Sequence, residues 1–116
     1  MKIKTQDLTG AALDWAVAKC EGWEGIVCKN PSWAVPLYVA TNDTGLYTYA
    51  PSTDPSHGHP IIERELIGTM PVSDAWWRAG DVDGANGFGP TMLIAAMRCY
   101  VASTLGDTVG VPEELL

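Results

Sequence analysis

The chain has 116 residues, of which 47% are hydrophobic and 18% charged, and its seven basic and fourteen acidic side chains leave a net charge of −7. This is the composition of one folded domain over residues 1–116, large enough to bury about two-thirds of its unfolded surface. Its acidity argues against nucleic acid and anionic membrane surfaces as partners, because affinity for both comes from Lys and Arg displacing counterions, and no stretch approaches the ~18 apolar residues of a membrane span.

In chain order, Ile3 opens a short edge strand, and residues 8–21 read as a helix with Thr9 as N-cap and Gly22 past its end. Leu13, Ala16, Val17 and Cys20 make its apolar stripe, widened by Leu8, Ala12 and Trp15, whereas Asp14, Lys19 and Glu21 fall outside it. A brief β-type run covers residues 26–28. Residues 37–41 and 46–49 then flank a turn ending in Gly45, a hairpin pattern that places Tyr47 and Tyr49 on one face. Residues 50–59 are rich in turn formers. Pro60 then suits the first turn of a short helix reaching Ile67. Residues 70–78 include another strand, with the neighbours Trp76 and Trp77 on opposite faces, and the acidic, glycine-rich stretch 81–87 reads as a surface loop. A last helix occupies residues 90–105 and stops at Gly106. The order predicts an α+β fold: a small, mainly antiparallel sheet packed by an N-terminal and a C-terminal helix in an α-β-α layer arrangement.

Cys20, Cys28 and Cys99 are odd in number and lack CxxC spacing. They read as small buried hydrophobes in a reducing cytoplasm, and the N-terminal residues MKIKTQDL contain no apolar run of the kind that begins a secretory signal.

The stretch 84–91 (GANGFGPT) ahead of the last helix carries the main functional signal. A glycine loop entering a helix presents unpaired N–H groups and the positive end of a dipole, a setting that suits an anion. Thr91 and Arg98 lie seven residues apart on one helix face, and Arg98 is one of three arginines in an acidic chain. One reading joins Gly89, the Thr91 hydroxyl and the Arg98 guanidinium around a phosphate or carboxylate. About 11 Å of helical rise separates Thr91 from Arg98, so only an elongated ligand spans them. The competing reading pairs Arg98 with an internal carboxylate such as Asp14 or Glu63. Ser52, Thr53 and Asp54 either hydrogen-bond a ribose-like diol, with Tyr47 and Tyr49 as an aromatic platform, or simply build a local turn and helix cap. Of the five tryptophans, Trp76 is the candidate to border a pocket or anchor an oligomer interface.

Signals for catalysis and metal are weak. His57 and His59 with Asp54 offer alternate loop ligands but no complete set, so no metal or cofactor is expected. Glu63 and Glu65 diverge on a short helix. The motifs of P-loop proteins, GxSxG hydrolases and HExxH metalloproteases are absent from the sequence.

Four segments carry a resemblance: 8–22 (LTGAALDWAVAKCEG), 51–54 (PSTD), 60–65 (PIIERE) and 89–100 (GPTMLIAAMRCY). In this order they resemble the bacteriophage NinX-like family and, more distantly, small phage proteins of α-β-α sandwich fold. Pro55 and His59 stand where that pattern has an aromatic residue and a glycine. The resemblance implies a protein made in the cytoplasm of an infected bacterium that assists the phage without building its particle. With the residue-level reading, it leads to the expectation of a non-catalytic, homo-oligomeric accessory protein binding a small anionic, nucleotide-derived ligand. The alternatives are a protein–protein modulator of a host factor and a metal-assisted hydrolase using His57, His59 and Asp54.

Overall fold

The computed structural model describes the backbone of residues 2–22, 26–27, 37–41 and 45–112, and the side chains of residues 2–22 and 49–112. The expectations for Cys28, Trp23 and Trp33 lie outside the described residues, as does the side chain of Tyr47.

Strand β1 (Lys2–Lys4) pairs antiparallel with β8 (Thr108–Gly110), tying the two ends of the chain together. The turn of 3₁₀ helix that follows (Thr5–Asp7) is anchored to the same end, since Thr5 Oγ1 donates to Gly106 O (2.6 Å) and Thr5 N to Asp107 O (2.8 Å). Helix α1 (Gly10–Cys20) starts after the extended N-cap Thr9. It is followed by Gly22 at φ +82°, where a side chain would be strained. β2 (Ile26–Val27), β3 (Leu37–Thr41) and β4 (Gly45–Tyr49) form one antiparallel sheet in that order, and the expected hairpin pairs Leu37 with Tyr49 through Thr41 with Gly45. After α2 (Pro55–Arg64), β5 (Gly68–Ser73), β6 (Trp76–Gly80) and β7 (Asn86–Gly89) form a second three-stranded antiparallel sheet, which leads into α3 (Met92–Leu105). The fold is α+β, with α1 and α3 packed on each other and on the strands.

The core gathers Leu8, Leu13, Ala16 and Val17 with Ile61, Ala95, Met97 and Val101. α3 buries a continuous run from Ala95 to Val101, as a helix sandwiched between α1 and a sheet must.

The expected antiparallel pairing is distributed over three small sheets, β1–β8, β2–β3–β4 and β5–β6–β7. Three points are corrected. The short helix begins at Pro55, five residues before Pro60: Asp54 caps it, and Pro55 suits the first turn better than Pro60, which sits inside the helix without an N–H to give. The stretch 70–78 is two strands joined at residues 74–75, and the last two residues of the supposed loop 81–87, Asn86 and Gly87, begin strand β7. Asp14, expected outside the apolar stripe, is buried at 4% exposure, and the Ser52 N–H donates to its Oδ1 (2.9 Å).

Candidate functional site

Thr91 is the N-cap of α3, in extended conformation, and its hydroxyl accepts from Ile94 N (3.1 Å). The helix therefore begins at Met92, two residues beyond the expected Pro90, because a capping hydroxyl satisfies an orphan amide that proline cannot. The next turn closes normally, with Ala95 N donating to Thr91 O (3.0 Å). Among the described residues, the N–H groups of Met92 and Leu93 have no hydrogen-bond acceptor.

The glycines before this helix do not form an anion loop. Gly87 and Gly89 face α3 from β7, and the strand lies directly on the helix backbone. A Cβ on Gly87 would come within 3.0 Å of the Arg98 carbonyl carbon and closer still to Ala95 O and Cys99 N. One on Gly89 would meet Ile94 Cγ2 at 2.7 Å and Arg98 Nη1 at 3.2 Å. Their missing side chains permit close approach.

Arg98 is likewise structural. It is 5% exposed, with Nε donating to Leu8 O (3.0 Å) and Nη1 to Phe88 O (2.6 Å). It straps the segment before α1 and strand β7 onto α3, through backbone carbonyls rather than the Asp14 or Glu63 carboxylate. Burial lowers its pKa, against a partly compensating attraction from Asp7.

The sequence-predicted loop does reach the helix start. A cleft of about 320 Å³ is lined by Ser52, Thr53, Pro55, His59, Thr91, Met92, Leu93 and Ile94. It brings together the first turn of α3, the first turn of α2 and the loop between β4 and α2. Of the expected site residues, Ser52, Thr53 and Thr91 meet here, whereas Gly89, Arg98, Asp54, Tyr49 and Trp76 are not among its lining residues. Asp54 caps α2, its Oδ1 accepting from Ser56 N (3.0 Å) and Ser56 Oγ (2.7 Å). These bonds hold its pKa below the usual carboxylate range. Tyr49 is buried and stacks on His57 with ring centroids 5.6 Å apart, so it contributes to the core rather than to a platform. Trp76 stands 43% exposed on the sheet β5–β6–β7, on the face opposite Trp77 and Ala79.

Below the cleft lies a buried polar layer. Ser52 is 2% exposed; its hydroxyl lies against the Asp14 carboxylate but completes no well-formed hydrogen bond, while its N–H does. Burial raises the Asp14 pKa to about 6, opposed by the Ser52 hydroxyl and N–H. His57 Nδ1 accepts from Ala50 N (3.0 Å) and lies 3.7 Å from Asp54 Oδ2. Because residues 55–64 are helical, His57 and His59 sit two apart and point in divergent directions. Among the described residues, no group of three or more His, Cys, Asp or Glu side chains is arranged to hold a metal.

Sequence reasoning missed the apolar wall of the cleft, formed by Pro55, Met92, Leu93 and Ile94. The signal was present in Asp54-Pro55-Ser56, a capping residue followed by a proline at the first helical position, which places a second helix start beside the first.

A family model described as Bacteriophage P22, NinX matches residues 4–104. The chain belongs to the NinX family. The match runs from β1 to the last turn of α3, so both helix starts and the whole cleft lie inside it. No curated protein matches this NinX family member. Among its described residues, no helix is long and apolar enough to cross a membrane.

Proposed function

We propose that this NinX family member is a non-catalytic phage accessory protein that binds, and by binding sequesters, a small anionic, nucleotide-derived ligand in the cytoplasm of the infected host. One observation carries the reading: the cleft in which the Ser52–Thr53 loop meets the N-terminal turn of α3. Its volume is near the lower end of the range for small-molecule sites. Its walls are apolar and its polar groups few: the Thr53 and Thr91 hydroxyls, the amides of the first turn of α3 and the His59 imidazole. Arg98 has no part in this site, since it holds two backbone carbonyls.

The test is a thermal-shift and calorimetry panel of nucleotides on the wild-type chain and on Thr53→Glu. Thr53 is exposed at the cleft, so the variant adds a carboxylate there with little cost to stability. Binding by the wild type and its loss in the variant support the proposal; indifference of both to every nucleotide refutes it.

A second reading, a protein–protein modulator, is favoured by one specific surface. Met70, Val72, Trp76 and Phe88 are exposed on the sheet β5–β6–β7, and the register sets Met70, Arg78 and Phe88 in one cross-strand row. Trp, Met, Phe and Arg are the residue types that enrich contact surfaces. This face is also where a homo-oligomer would form. Native mass spectrometry of protein from infected cells separates the cases, by a doubled mass, a foreign subunit or a retained small molecule.

A further inference from the structure

Resting on the interaction-surface reading just given, we propose that the open face of the sheet β5–β6–β7 pairs with a second copy of itself. The Trp76 indole of each copy enters a glycine-floored depression on the other, and the pair closes about a two-fold axis.

Folding leaves this face uncovered. Ala79, Gly87 and Gly89 turn toward α3, so Met70, Trp76, Arg78 and Phe88 turn outward, and among the described residues nothing packs over them. Both edges of the sheet are guarded against a further strand. On β7, Gln6 Nε2 donates to Asn86 O (3.1 Å) and Gln6 Oε1 accepts from Phe88 N (3.0 Å). On the opposite edge, β5 carries Pro71, which has no N–H to offer a neighbour. The exposed parts of Met70, Val72, Trp76 and Phe88 amount to roughly 350 Å² in each copy, the scale of patch that marks an interaction site. With Arg78 and the sheet backbone included, face-to-face pairing covers about 1,000 Å² in total, the least that a specific interface needs.

Shape selects the occupant. A depression of about 390 Å³ on this face is lined by Gly68, Thr69, Met70, Arg78 and Gly80. Gly68 and Gly80 pair across the strands, and the fold requires neither to be glycine. Neither has a positive φ, and a Cβ would meet nothing nearer than Gly80 O at 3.9 Å on Gly68 or Asn86 Oδ1 at 3.5 Å on Gly80. Their missing side chains keep the floor flat and open. The walls are the Met70 thioether and the Arg78 guanidinium, groups that associate with aromatic rings. Among the described residues Arg78 forms no ion pair, and its bond from Nη2 to Asn86 Oδ1 is long at 3.5 Å. An indole laid on the glycine floor meets both walls. Trp76 cannot fill the depression of its own chain, because Gly80 is four residues along the same strand, about 13 Å away.

Trp76 and the depression lie on opposite sides of the cross-strand row Met70–Arg78–Phe88. A two-fold axis along that row lays β6 antiparallel on its mate and sets position 76 over position 80, so both depressions fill at once. Arg78 leans toward Asn86, in the row of Gly80, and the two guanidinium groups therefore diverge from the axis. At the rim, the turn holding Asp74 comes opposite the turn holding Asp81 and Asp83. These like charges oppose pairing, and added salt screens them. Salt therefore tightens this dimer, whereas it would weaken a contact between Arg78 and a carboxylate of a foreign protein.

Sedimentation velocity of the intact chain from about 1 to 200 µM, at roughly 50 and 500 mM NaCl, provides the test. The expected result is a reversible dimer, tighter at the higher salt. Trp76→Ala and Gly68→Val, each checked as folded by circular dichroism, should weaken it about tenfold or more. Mixing the two variants should restore a heterodimer in native mass spectrometry, since the indole kept by one enters the depression kept by the other. A chain monomeric throughout, a dimer indifferent to either substitution, a dimer weakened by salt or a mixture without heterodimer overturns the proposal. A monomeric chain that holds a foreign subunit, lost in Trp76→Ala, also overturns self-pairing but leaves the interaction-surface reading standing. If Trp76→Ala alters neither self-pairing nor any partner's binding, that reading falls as well.

Discussion

Replacing Asp14 with asparagine should make the protein more stable at neutral pH, and by an amount that grows with pH over a defined window. Asp14 is 4% exposed, and burial raises its pKa from 3.8 to about 6. Between these values the unfolded chain has released the proton that the folded chain still holds. The folded state binds more protons, so stability falls as pH rises. The full contribution is present below pH 3.8 and is lost as pH passes through about 6. A difference of about two pH units at 1.36 kcal/mol each corresponds to roughly 3 kcal/mol lost by pH 7. The asparagine amide keeps an oxygen to accept from Ser52 N and carries no charge to bury, so the Asp14→Asn variant should escape that loss. Urea denaturation of both proteins at several pH values from 4 to 7.5 gives the difference directly, with the other carboxylates cancelling between them. The variant's advantage should grow across the window and level off above it. A difference independent of pH, or a variant weaker than wild type at pH 7, would refute the claim that an isolated, desolvated carboxyl lies beneath the cleft.

Gly87→Ala should destabilise the fold by about 3 kcal/mol or more, because the added carbon meets helix backbone that cannot move aside. Gly110→Ala, with open space around its Cβ position, should change the urea midpoint little. Arg98→Met should cost about 2–4 kcal/mol by leaving the Leu8 and Phe88 carbonyls without their donor. At a temperature where the variant is folded, its nucleotide affinity should match that of wild type. In a Cys28→Ser background, Cys99 should resist Ellman's reagent at pH 8 until the protein unfolds, because burial excludes the reagent and raises the thiol pKa to about 12.

Local chemistry made much of the candidate site legible. The turn-forming Ser52-Thr53-Asp54 and the hairpin around Gly45 follow from residue type and spacing and are found where their patterns predict them, whereas Thr91, read as lying inside the last helix, is its N-cap. The start of α2 is ambiguous in sequence because two prolines, Pro55 and Pro60, each offer a first turn. The choice depends on Asp54 as a cap. β8 leaves no signal of its own: three residues become a strand only because β1 pairs with them.

Residue type and periodicity alone therefore determined the α+β class, the two apolar helices and the presence of a polar helix start, since these rest on interactions between neighbours in sequence. Tertiary structure decided what the conspicuous residues do. Gly87 and Gly89 yield space to a helix, and Arg98 fastens carbonyls ten and ninety residues away. Asp14 is buried because Ser52, thirty-eight residues on, offers it an N–H. Such roles depend on which groups folding deprives of water, and that is settled by partners distant along the chain.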